Sequence, residues 1–264
     1  MDRVDVHGLS VAYERVGHGP PLVLLHGILQ DSRAWRRQLD GLADDFTVVA
    51  WDAPGCGDSS DPPETFRLRE YADCLAGFID ALVLESPHVL GLSLGGTFAL
   101  GLYERRPSLP RTLILASAYA GWAGSLPDEV VAQRLAGCLR EADLPPEQFI
   151  PGWMPGLLTD RSAAGLAEEL MAMMSQFHPV GYRAMAHSMA EADLRNVLGE
   201  IDVPTLLLYG EEDKRSPLNV ARDLHARIPG SRLRVLPGIG HLGNAEAADQ
   251  FNSEVRTFLK ESHS

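Results

Sequence analysis

His88-Val89-Leu90-Gly91-Leu92-Ser93-Leu94-Gly95-Gly96 decides how the rest of this 264-residue chain is read. A short run rich in valine and leucine enters a serine with glycines two positions before and two after it, and an apolar helical pattern follows over residues 97–103. That is G-x-S-x-G in a strand, turn and helix setting. The turn it predicts is sharp enough to strain the serine backbone, and strand and helix pass so closely that side chains at Gly91 and Gly95 would collide. Such a turn lifts the Ser93 hydroxyl clear of the sheet edge. Taken alone, five residues are also what a glycine-rich packing turn would show, so the rest of the chain has to decide.

Working outward, strands and helices alternate. Residues 10–16 read as an edge strand after a His7-Gly8 turn, residues 21–26 and 46–51 as buried strands, and residues 32–42 and 68–84 as amphipathic helices. Beyond the serine come strands at 112–118, 205–209 and 232–236 and helices at 217–228 and 245–259. This alternation predicts a mostly parallel central sheet with helices on both faces. Between residues 118 and 203 no strand is evident. Helical patterns at 128–141, 161–177 and 180–192 lie among proline-rich turns, which predicts a helical cap inserted between two late strands. The expected organisation is a core domain of residues 1–118 and 198–264 and a cap, or lid, of residues 119–197.

Composition narrows the function. A formal net charge of -13 argues against nucleic acid or an anionic membrane as partner, since both repel such a surface. Three cysteines, Cys56, Cys74 and Cys138, suit neither a disulfide framework nor a zinc site, which points to a reducing cytoplasm. The first residues lack the apolar segment of a secretory signal, and no run is long enough to span a bilayer. Metal-binding and nucleotide-binding motifs are lacking, so no cofactor is expected. The expected partner is a small molecule, with the chain working as a monomer or homodimer.

Ligands of open α/β sheets bind at the carboxyl ends of the strands. The residues there are His26-Gly27-Ile28, then Asp52-Ala53-Pro54-Gly55-Cys56-Gly57-Asp58-Ser59, then Ser93, then Gly210-Glu211-Glu212-Asp213 with Pro217 beyond, and Gly238-Ile239-Gly240-His241. A serine, an acid and a histidine follow in that order on loops at one edge. Glu211, Glu212 and Asp202 compete with Asp213 for the acid's place, and the spacing from Gly210 to Pro217 favours Asp213. Cys56 reads as a small packed side chain, and Asp52 with Gly55, Gly57 and Ser59 as a tight turn beneath the site.

In these five ordered segments, H-G-x, D-x-x-G-x-G-x-S, G-x-S-x-G, G-x-x-D-x-x-x-P and G-H, the chain resembles the α/β-hydrolase fold family over nearly its whole length. The resemblance implies Ser93 as nucleophile, Asp213 as triad acid, His241 as base, and the backbone N–H groups of Ile28 and Leu94 as an oxyanion hole. Gly27, Trp122, Trp153, Met174, Phe177 and Leu242 are the expected substrate-binding residues, and His26 a brace for the oxyanion loop. It also implies hydrolysis of small carboxylic esters or lactones with an apolar portion, as in carboxylesterase-like and enol-lactonase-like members. Cofactor-free haloperoxidases, or perhydrolases, and carbon–carbon bond hydrolases share the same segments. A hydrolase-like ligand sensor is the alternative of another class.

Overall fold

The computed structural model describes residues 1–262. Among the described residues eight strands form one sheet: β1 (Asp2–Val6), β2 (Leu9–Val16), β3 (Pro21–Leu25), β4 (Thr47–Trp51), β5 (His88–Leu92), β6 (Thr112–Ala116), β7 (Thr205–Gly210) and β8 (Arg232–Leu236). Their spatial order is β1-β2-β4-β3-β5-β6-β7-β8. β2 runs antiparallel to both β1 and β4, and every other pair is parallel. The strand read at residues 10–16 is therefore not at the edge. β1 covers it through a hairpin whose two turn residues, His7 at φ 54° and Gly8 at φ 83°, both take positive φ, the geometry that matches strand twist.

Each residue of β4, β5, β6 and β7 is buried, which requires both faces of the sheet to be covered. The helices supply the two covers as separate packed sets. Arg36–Leu42 touches Gly243–Glu246 and Ala248–Glu261; Leu68–Ala81 touches Leu94–Arg105, which continues through Arg195–Leu198 to Leu218–Arg227. No helix among the described residues is long and apolar enough to cross a membrane.

Between β6 and β7 the chain leaves the sheet and builds helices Asp128–Glu141, Leu166–Met174 and Pro179–Glu191. The middle one is shorter than the pattern at 161–177 suggests. Gly165 adopts a left-handed conformation (φ 84°) that ends any continuation toward the N-terminus. Upstream, Glu246 accepts hydrogen bonds from Thr159 N (2.8 Å) and Ser162 Oγ (2.5 Å) and fixes that stretch as a turn. The proline-rich stretch folds into tight turns at Pro146–Gln148 and Ile150–Trp153 and the one-turn helix Met154–Leu157.

The two ends of this insertion are tied together. Trp122 N donates to Met189 O (2.7 Å), Gly124 N to Ala192 O (3.1 Å) and Leu194 N to Ala120 O (3.0 Å). Helix Pro179–Glu191 rests on the loop after β4 at a backbone contact so close that a Cβ on Gly181 would lie 2.1 Å from Gly55 O.

Candidate active site

The turn after β5 has the predicted strain. Ser93 sits at φ 55°, ψ -112°, outside the regions that L-residues favour. Its own N–H donates to Ala116 O of β6 (2.8 Å), and its carbonyl accepts from Gly96 N (3.0 Å), so the turn is fixed from both sides. The glycines are required by contact. A Cβ on Gly91 would lie 2.2 Å from Gly95 O, and one on Gly95 would lie 2.0 Å from Leu25 O.

His241 follows β8, and Asp213 follows β7. The imidazole Nδ1 lies 2.9 Å from each Asp213 carboxylate oxygen, with both residues almost fully buried at 3% and 4% exposure. Asp213 Oδ1 also accepts from Arg215 N and Ser216 N, each at 2.8 Å, which fixes the carboxylate. A carboxylate at Nδ1 holds the proton there and leaves Nε2 as the basic nitrogen. The competing acids are occupied elsewhere. Glu211 accepts from Gly238 N, Glu212 pairs with Arg161, and Asp202 accepts from the Tyr103 hydroxyl.

Ser93 and His241 line one cavity together with Gly27, Ile28, Leu94, Trp122, Trp153 and Leu242. Among the hydrogen bonds of the described residues none joins Ser93 Oγ to the imidazole; such bonds are commonly long in ligand-free sites and tighten when substrate binds. Leu94 N stands at the first turn of helix Leu94–Arg105, where backbone donors have no helical acceptor. The loop carrying Ile28 is held by Gly27 N donating to Gln30 Oε1 (3.1 Å) and by Gln30 N donating to Gly27 O (3.3 Å).

His26 lies beneath that loop, fully buried. Ala53 N donates to its Nε2 (3.0 Å), so Nδ1 carries the proton and donates to Gly27 O (2.8 Å). Burial lowers its pKa below the ordinary histidine value, against the raising effect of Gly27 O and of Asp52 and Asp31. Asp52 ties the loops together by accepting from Ser32 N (2.7 Å) and Asp58 N (2.8 Å). Cys56 is buried against Met185, and burial pushes its thiol well above the usual range, as it does Cys74 (about 12) and Cys138 (about 11). None is a ready thiolate. No group of three or more potential metal ligands occurs among the described residues.

Two of the expected substrate-binding residues lie elsewhere. Met174 is wholly buried in the core. Phe177 packs edge-on against Phe149 (5.4 Å) and Tyr182 (5.5 Å) and lines a separate small cavity over Gly55-Cys56-Gly57. An apolar stripe on a helix does not say which neighbour it meets. Conversely, Gln30, Tyr119, Arg134, Leu157, Met189 and Arg215 line the cavity and are not among the expected substrate-binding residues. Tyr119 follows β6 and Arg215 follows β7, so an inspection of every strand end would have reached both.

The cavity holding Ser93 has room for only about 20 Å³, roughly one water molecule. Trp122, Arg134, Trp153 and Arg215 line both it and an outer cavity of about 730 Å³.

Comparison with known proteins follows the same lines. The sequence profile described as the alpha/beta hydrolase family matches residues 22–254. The pimeloyl-[acyl-carrier protein] methyl ester esterase of Vibrio parahaemolyticus is 27% identical over 96% of this chain and 99% of its own length. The 3-oxoadipate enol-lactonase 2 of Acinetobacter baylyi is 25% identical over 98% and 96% respectively. The structure of a thermophilic esterase from Thermogutta terrifontis is 28% identical and superposes over the whole of both chains with a TM-score of 0.93.

Proposed function

Because this chain belongs to the alpha/beta hydrolase family, we propose that it is a serine hydrolase that cleaves small carboxylic esters or lactones through an acyl-enzyme. The observation that carries the reading is the Asp213-held imidazole sharing one cavity with the strained Ser93. The esterase and lactonase names of relatives over nearly their full length support the bond type. Residues 119–197 act as a cap over that site, and residues 1–118 and 198–264 as the core.

A serine hydroxyl is a weak nucleophile at neutral pH. His241 Nε2 accepts the Ser93 proton as Oγ attacks the substrate carbonyl, and Asp213 stabilises the imidazolium that forms. The negative charge then sits on the former carbonyl oxygen, where Ile28 N–H and Leu94 N–H donate. Each such donor contributes about 2.7 to 4 kcal/mol to the transition state in comparable sites. His241 passes its proton to the departing alkoxide, which leaves as the alcohol or, from a lactone, stays as the far end of the acyl group. Water activated by the same imidazole then attacks the acyl carbon, and Ser93 Oγ leaves with the returned proton.

A fluorophosphonate should label the wild type covalently and leave Ser93→Ala unlabelled. The substitution should lower ester turnover on the order of 10⁶-fold, the loss seen when comparable triads lose their serine. Labelling that persists in Ser93→Ala would put the nucleophile elsewhere.

A further inference from the structure

The lining shared by the inner and outer cavities carries two guanidinium groups in a chain of strong negative charge. Most other arginines find carboxylates, as Arg36 does with Glu14, Arg37 with Glu169 and Arg256 with Asp45, while Arg15, Arg69, Arg140 and Arg222, which have none among the described residues, are exposed to water. Among the described residues no carboxylate pairs with Arg134 or Arg215. Both are nevertheless held. Arg134 Nη1 donates to the Tyr119 hydroxyl (3.1 Å) and Nη2 to Arg215 O (3.0 Å), and its guanidinium lies over the rings of Tyr119 (5.7 Å) and Trp122 (5.6 Å). The Arg215 guanidinium stacks 3.7 Å from the centre of Trp153. Cation–π contact replaces part of the lost hydration but supplies no opposite charge.

Burial pulls the Arg215 pKa below its usual value, and the neighbouring Arg134 pulls it further, the signature of a half-buried cation beside another cation. The acids nearby are committed. Glu141 accepts from the Tyr182 hydroxyl (2.6 Å) and Trp153 Nε1 (3.2 Å), Asp143 pairs with Arg183, and Asp213 holds His241. Two guanidinium groups with no anion line the cavity of the nucleophile, that of Arg215 with no hydrogen-bond acceptor among the described residues and that of Arg134 donating only to neutral oxygens, and a carboxylate supplies the charge and the acceptors they lack.

We propose that the substrate carries, besides the ester or lactone that meets Ser93, a carboxylate that docks on the Arg134 and Arg215 guanidinium groups. The proposal rests on the hydrolase reading for its reacting bond and on the cavity wall for its acid group. The substrate class is then a half-ester of a dicarboxylic acid, or a lactone bearing an acid side arm. Binding brings the missing negative charge to the pair and draws the acyl chain toward Ser93.

Monomethyl glutarate and methyl pentanoate have acyl chains of equal length and differ in the terminal carboxylate, so acid release from the two compares them directly. The wild type should favour the half-ester in kcat/KM. Arg215→Gln and Arg134→Gln should each cut that preference by about 10- to 100-fold, as expected when a charge-assisted hydrogen bond is lost, and Arg215→Lys should recover part of it. Equal or better turnover of methyl pentanoate by the wild type, or a preference unchanged in both glutamine variants, overturns the proposal. Glutarate binding, read as a rise in Tm, separates the two readings. If neither ester is cleaved while glutarate stabilises the wild type and not Arg215→Gln, the anion site stands and the hydrolase reading falls. If neither ester is cleaved and glutarate gives no Arg215-dependent shift, the anion site falls as well.

Discussion

Ser93 is held at φ 55° by a hydrogen bond to β6 and by the close approach of Gly91 to Gly95 and of Gly95 to Leu25 on either side of it in sequence. A residue in such a conformation stores about 1–3 kcal/mol that the surrounding contacts must supply. His26 beneath it makes a second claim on the fold. Its lowered pKa comes from burial, so the native state resists protonation while the unfolded chain takes up a proton near about 6.5. The unfolded state therefore binds more protons as pH falls through that value, and native stability falls with it. Between about pH 7.5 and about 5.5, the Tm of the wild type should drop more steeply than that of His26→Asn; parallel slopes would remove His26 as the source. Ser93, Asp213 and His241 were readable in the sequence because each lies in a short segment whose local geometry is fixed by its own glycines and strand. The meeting of Arg134 with Arg215 was not, although Arg215 by itself stands at a strand end. One sits on an inserted helix and the other in a turn after β7, and only the fold brings them to one wall.

At the level of elements, the strands with continuous apolar runs were legible, while β1 was not, since Asp2-Arg3-Val4-Asp5-Val6 mixes charge into a short edge strand. The helical segment between β6 and β7 was legible in its helices but not in their orientation, which is why Met174 and Phe177 do not line the cavity that holds Ser93. Its seat on the core is set by the Gly181–Gly55 contact. Gly181→Ala should force helix Pro179–Glu191 off the loop after β4 and cost about 1–3 kcal/mol, the usual range for overpacking. Gly137→Ala is the matched contrast. Gly137 lies inside helix Asp128–Glu141 with nothing within 4 Å of an added Cβ, and the change should stabilise by about 0.5–1 kcal/mol. Thermal melts should move Tm in opposite directions for the two variants; a shift of the same sign in both would show that the Gly181 contact is not limiting.

Across the whole molecule, one hydrophobic core runs without a break from Trp35, Leu92 and Phe98 in the sheet and its helices to Leu157, Met174 and Met185 above them. A continuous core with the insertion's ends hydrogen-bonded together should unfold as one unit. Calorimetry is expected to show a single transition with matching calorimetric and van't Hoff enthalpies, whereas two resolved transitions would make the inserted helices a separate folding unit. The small chamber at Ser93 has a kinetic corollary. On the proposed route a room this small would admit an acyl chain only once the indole and guanidinium side chains that line it swing aside, and admission would then precede bond cleavage. On the proposed acyl-enzyme route the same tightness reaches the second half-reaction: an acyl group that overfills the chamber would keep solvent out and lengthen its own stay on the serine, so the roominess of the doorway, as well as the reactivity of the alcohol, would set which compounds are turned over and which linger.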